Sequence, residues 1–307
     1  MQGAIPRAEK EPRRVQGLRL SPKFAPYVFV APAFILFAVF MIYPIIYSFI
    51  LSLQTNRDGE LVWNGLNNYS RLLGDDLFRT ALFNTFIILI VQVPIQLSLA
   101  MLLAVALNSQ FLRGRGVFRA IYFLPAVTGL AAVSVIFRIL FADPTGIVNA
   151  FLSIFSFGPI HWTLQPFWNR VLLLLAITWR WTGYNMVIYL SGLQSIPNDL
   201  YEAASVDGAN WGTQFFRITL PLMRPIILFT TVLSTIGTLQ IFDESYLLTN
   251  GGPENSTMTV GFYLYRTAFR QADFPYASTI AYGLLFFIAI LSFLQFRFAG
   301  ERDEGRS

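Results

Sequence analysis

The chain has 307 residues, 55% of them hydrophobic and 13% charged, with a mean hydropathy of +0.54; since soluble domains are about 25% charged, an ordinary soluble protein is excluded. A net charge of +5 would suggest nucleic acid in a soluble chain, but here the basic residues flank apolar segments, where membrane topology accounts for them and no nucleic-acid partner is expected. Cysteine is absent, which removes disulfides, a thiolate metal site and a lipid-attachment cysteine.

Residues 1–24 hold Arg7, Lys10, Arg13, Arg14, Arg19 and Lys23 ahead of the first apolar run. This charged start resembles a signal peptide, but the apolar run is too long and lacks a cleavage site, so a retained anchor is expected. Charge-free stretches follow at 24–56, 81–112, 120–137, 226–242 and 274–296. A helix needs about 20 apolar residues to cross a hydrocarbon core of about 30 Å. The pattern therefore predicts helices near 25–52, 81–108, 117–141, 226–248 and 277–297. A sixth, 171–193, has the length but carries Arg180. The expected fold is an all-α integral membrane protein with six transmembrane helices. It forms one domain over 25–297, with terminal tails at 1–24 and 298–307.

With both termini in the cytoplasm, fourteen of the 22 lysines and arginines fall inside and seven outside, with Arg180 left in a helix. Positive residues favour the cytoplasmic side, so this orientation is expected. The uncharged stretch 145–169 is interrupted by Gly158, Pro159 and Pro166. Its apolar part, 147–157, is too short to span, so it predicts an external interfacial helix, with Phe155, Phe157, Trp162, Phe167 and Trp168 at headgroup level.

The segment 195–225, SIPNDLYEAASVDGANWGTQFFRITLPLMRP, faces the cytoplasm in this orientation. Asp199 is a candidate N-cap, 200–207 reads as a short helix, and Gly208 is placed to end it in the left-handed conformation. A second helix is expected from Asn210, stopped by Pro221 and Pro225 before the next span. Ala203 and Ala204 are small enough for close approach by a partner, and Glu202 and Asp207 supply carboxylates. A connector resting on headgroups fits the same residues.

Glu202-Ala203-Ala204, three residues, Gly208, nine residues, Ile218, one residue and Leu220-Pro221 resemble the signature loop of binding-protein-dependent ABC permeases. The flanks, WRWTGYNMVIYLSGLQSIPNDLYEAASVDGA and IFDESYLLTNGGPENST, are similar to the sugar-uptake branch, in particular the maltose- and glycerol-phosphate-type first subunit. The resemblance covers about 80–297. It implies the type I ABC importer permease architecture, an alternating-access pore built with a second homologous permease subunit. It also implies an ATPase dimer docked on the loop, which acts as a coupling helix, and an extracytoplasmic solute-binding protein.

No G-x-x-x-x-G-K-[ST] loop exists, the lysines being Lys10 and Lys23, so ATP and Mg would belong to the partner ATPase and none of the cofactors to this chain. The single histidine, His161, offers no metal cluster, and no catalytic residue is expected. A stand-alone secondary carrier or channel is the main rival, and a membrane enzyme a remoter one.

Arg180 must face a cavity, find a partner or snorkel outward. Gly183, Tyr184 and Asn185, and on the fifth helix Gln240, Phe242, Asp243 and Tyr246, are candidates for the solute path; helix packing explains them equally. Asp243 and Glu244 are expected near the external surface. Asn250-Gly251-Gly252-Pro253 reads as a turn which, by resemblance, lies where a binding protein would dock.

Overall fold

The computed structural model describes residues 21, 23, 25–109 and 112–300. The expected tails, with the basic residues at positions 7–19, 302 and 306, fall almost wholly outside the described residues. The chain divides into two compact units after Ser48. The first holds α1 (Ala25–Phe37), a π-helical turn (Ala38–Ile42) and the start of α2 (Tyr43–Ser52), whose last residues belong to the second. This 28-residue apolar run has no buried residue across its most apolar window, as a lipid-facing helix requires.

The second unit holds a feature outside the all-α expectation. β1 (Gln54–Arg57) and β2 (Glu60–Trp63) pair antiparallel with Arg57 opposite Glu60. The connecting residues, Asp58 and Gly59, have φ of +53° and +90°, which matches the twist of a two-residue hairpin. There follow α3 (Asn67–Gly74), α4 (Asp76–Asn108), α5 (Arg115–Val127), α6 (Leu130–Leu140), α7 (Ile147–Ile154), α8 (Pro166–Gln194), α9 (Asp199–Val206), α10 (Trp211–Gln214), α11 (Leu220–Leu222), α12 (Arg224–Leu239), α13 (Val260–Tyr265) and α14 (Phe274–Gly300).

α4 and α8 make the most extensive helix contact. Val93, Ala100 and Ala104 of α4 pack on Met186, Tyr189 and Leu193 of α8, and Ile88 joins Leu172, Leu173 and Ala176. Lipid supplies no hydrophobic drive between helices, so small residues that let backbones approach carry the packing. At Gly183 the approach is extreme: a Cβ there would lie 1.7 Å from the carbonyl oxygen of Tyr122 on α5. α12 packs on α4 and α14.

One end of this unit carries the 195–225 loop. The other joins α3, the start of α4 and the 253–276 region. Asn84 donates to the carbonyls of Asn255 (2.7 Å) and Met258 (3.1 Å), and Arg170 Nε to that of Ser256 (2.9 Å). Asp75 caps α4 by accepting from the amides of Leu77 and Phe78 and also takes the hydroxyls of Tyr263 and Tyr276.

Among the described residues, four helical segments are long and apolar enough to cross a membrane, or six if each of two bent pairs is one span. The first bent pair corrects the sequence reading. The helix expected over 117–141 is two, α5 and α6, meeting at 99°. Pro125 removes a ladder N–H, and Thr128 and Gly129 then take extended ψ of 134° and 130°. The helix expected over 226–248 breaks after Leu239 and, past the non-helical Ile241 and Phe242, resumes at Asp243 with a π-helical turn over Ser245–Thr249. The hydroxyl of Thr259 then donates to the freed carbonyl of Ile241 at 2.7 Å, and side-chain-free Gly261 lets this backbone approach. Trp162, placed at the headgroups by sequence, is instead buried beneath α6 and α8, its Nε1 donating to Asn149 at 3.1 Å. Phe155, Phe157 and Phe167 are exposed as expected.

Gly183→Ala should force α5 from α8 and cost about 1–3 kcal/mol, the usual penalty for overpacking, read as a lower thermal midpoint of the solubilised protein. Burial pushes the Asp75 carboxyl up, but hydrogen bonds from Tyr263, Tyr276 and the amides of Phe78 and Leu77 outweigh it and leave it below its ordinary value of 3.8. The ionised form therefore stabilises the fold fully above about pH 4, and that stabilisation fades as pH falls through the depressed folded value. Asp75→Asn should flatten the acid limb of the stability profile below about pH 4.

Candidate coupling loop and polar cleft

α8 ends at Gln194, and Ile196 turns inward beside Leu193 and Met223. The short helix starts at Asp199; the capping position is Asn198, which makes no side-chain cap, so Asp199 is a first-turn residue and not the N-cap. There Asp199 and Glu202 complement the positive end of the helix dipole. Gly208 ends the helix at φ +78°. Its amide donates to Ser205 O (3.1 Å) and that of Ala209 to Ala204 O (2.8 Å), the paired bonds of a Schellman motif.

Asn210 then caps α10, accepting from Thr213 N at 2.9 Å. Pro221 does not stop this second helix. A π-helical turn over Phe215–Thr219 precedes it, and the wider turn accommodates the proline ring. The chain bends by 67° only between α11 and α12. Pro225 sits in the first turn of α12, where its missing N–H leaves nothing unbonded.

Gln214 Nε2 donates to Ser205 Oγ (2.9 Å) and Ala209 O (3.3 Å). Tyr201 OH and Thr219 Oγ1 lie 2.9 Å apart, and Tyr201 and Phe215 pack on the core of α4 and α8. The two short helices are thus tied to each other and to the bundle. Glu202, Ala203, Asp207 and Gly208 are exposed, Ala204 half-buried. Ile218, Leu220 and Pro221 are half-buried and serve packing. The sequence reading missed how bare the surrounding apolar surface is: Val206 is 89% exposed and Phe216 67%.

Deeper in the bundle, a cleft of ≈ 550 Å³ lies between α4, α8, α12 and the non-helical turn after α12. Of the residues proposed for a solute path, Tyr184, Asn185, Gln240, Phe242 and Asp243 line it. Arg180 does not line it but is paired with the lining residue Glu244: Nη1 to Oε1 is 3.0 Å, with 15% and 8% of the two side chains exposed. Trp181 Nε1 donates to the same oxygen at 3.4 Å. Arg180 therefore finds a partner and does not snorkel. It lies at the middle of α8, so Glu244 is at mid-helix depth and not at the external surface; the early end of α12 turns the chain there.

Gly183 and Tyr246 do not line the cleft. Gly183 faces α5, and Tyr246 stacks on Phe242 at 5.5 Å. Gln92 and Gln96, unpredicted, line it from α4; they bond to each other, and Thr238 Oγ1 donates to Gln92 Oε1 at 3.0 Å. Two glutamines one turn apart in an apolar span were the signal. At the 250–253 turn, Asn250 is exposed but Gly251 is buried, and a Cβ on Gly252 would meet Asn169 Oδ1 at 2.3 Å. Both glycines face the protein, so Asn250 and Pro253 carry what outward surface this turn has.

Residues 76–300 match the family described as binding-protein-dependent transport system inner membrane component, and the chain belongs to it. The lactose transport system permease protein LacF of Rhizobium radiobacter is 49% identical over 281 residues, 90% of this chain and 94% of that protein. The arabinooligosaccharides transport system permease protein AraP of Bacillus subtilis is 38% identical, over 93% and 92%. Among solved structures, a bacterial ABC transporter involved in import of the acidic polysaccharide alginate superposes with a TM-score of 0.78 at 24% identity, covering 93% of this chain and 96% of that one; the likeness is one of fold.

Glu244→Gln, which leaves Arg180 buried without its counter-charge, should destabilise the protein by about 3–5 kcal/mol. Arg180→Met combined with Glu244→Leu should cost far less, so thermal unfolding of the two singles and the double should show strong non-additivity.

Proposed function

We propose that this chain forms half of the translocation pathway of an ATP-driven importer for a sugar or sugar-like solute. It takes solute from an extracytoplasmic binding protein, pairs with a second homologous permease, and docks the 195–225 loop on an ATPase dimer that holds the ATP and Mg. The observation that carries this reading is the loop itself. A short helix, closed by the Gly208 motif and bonded to α10 and Thr219, presents Glu202, Ala203 and Asp207 outward and moves as one body with the bundle. Transmission of closure between subunits needs such a rigid element. Family membership and the excess of basic residues on one side support a cytoplasmic loop and cytoplasmic termini. The printed functions of the relatives, lactose and arabinooligosaccharide transport, support a sugar, and the cleft's amides and aromatic faces suit one. Asn250 and Pro253 remain the surface offered to the binding protein.

Gly208 has open space around it, so a side chain there is refused by the backbone's positive φ alone. Gly208→Val should lower ATP-dependent uptake at least about tenfold, taking about 1–2 kcal/mol of left-handed strain, while the subunit still inserts at normal levels. Co-isolation of the ATPase should weaken in the same variant and in Glu202→Lys. Unchanged uptake by Gly208→Val, or solute flux by the pure chain without ATP, would overturn the coupling role.

A further inference from the structure

The charged side chains lining the cleft are Asp243 and Glu244, both acidic. Behind them Arg180 is held on Glu244 at 3.0 Å, and its Nε is buried with no hydrogen-bond partner. Asp243 is exposed and makes no ion pair among the described residues. The remaining polar lining is neutral: Gln92, Gln96, Asn185 and Gln240 among it. Glu244 thus masks the guanidinium behind this wall of the cleft, while Asp243 leaves a standing negative charge on it. Charges near a protein surface are weakly screened by the surrounding low-dielectric material, and a like charge placed against a binding site discriminates against the wrong ligand.

We propose that Glu244 and Asp243 together make this cleft refuse acidic saccharides and accept uncharged ones, so that Glu244 is a specificity-determining residue through its hold on Arg180. This rests on the reading of the cleft as the solute path. A saccharide carrying a carboxylate meets Asp243 and finds no cation among the described lining residues. A neutral one hydrogen-bonds to the amides and stacks on Trp181 or Tyr184.

The test is equilibrium binding of two disaccharides of matched size, a neutral one and one with a uronate ring, to the purified complex of permeases and ATPase without the binding protein. Wild type should bind the neutral sugar at least about tenfold more tightly. Asp243→Asn, an exposed change outside the packed core, should shrink that ratio at least about threefold. Glu244→Gln, where it folds, should reverse it by freeing Arg180. Equal binding of the two sugars by wild type, or an unaltered ratio in Asp243→Asn, overturns the charge selection alone. Binding of neither sugar overturns the cleft reading beneath it.

Discussion

α12 stops at Leu239, well short of the length a span needs, and the rest of the bundle is arranged around that early end. In hydrocarbon every backbone polar group must be satisfied inside the protein, so a helix that breaks midway needs donors waiting for its carbonyls. Thr259 supplies one at Ile241, and Gly261 lets the two backbones approach. Three consequences follow. The turn opens the cleft between α4 and α8, it carries Glu244 to the depth of Arg180, and it sends the 250–259 segment back to pack on α8.

The Arg180–Glu244 pair answers the same constraint in charged form. A lone guanidinium at the centre of α8 would be expensive, and the pair is held by a charge-assisted bond with Trp181 Nε1 on the same oxygen. The neutral pair of glutamines on α4 faces the same requirement and meets it through each other and Thr238. These two polar pairs therefore sit where helices converge, and that convergence is the cleft.

At the loop end, rigidity comes from local chemistry. The Schellman bonds, the Asn210 cap and the Gln214 contacts all lie within a few residues of one another, and Tyr201 and Phe215 root them in the bundle. Such a construction lets a displacement of the exposed face reach α8 and α12 without being absorbed in flexible backbone.

The sequence by itself determined what depends on local pattern. Charge-free length located the spans, Glu202 to Pro221 identified the loop, and Gly208 declared its turn because only backbone conformation is at stake there. The Asp58-Gly59 turn is equally local chemistry, but the all-α expectation held no place for its hairpin. The break of α12 was not legible, because Gly237 weakens a helix without ending it; the bond that stabilises the break comes from Thr259. Likewise Gly183 reads as a loose point in a polar triplet until Tyr122 of α5 is set against it. The ion pair joins residues 64 positions apart, and no periodicity links them. Spans and turns are set by residues near in sequence; cleft and ion pair by close approach of residues distant in it, which only the packed bundle decides.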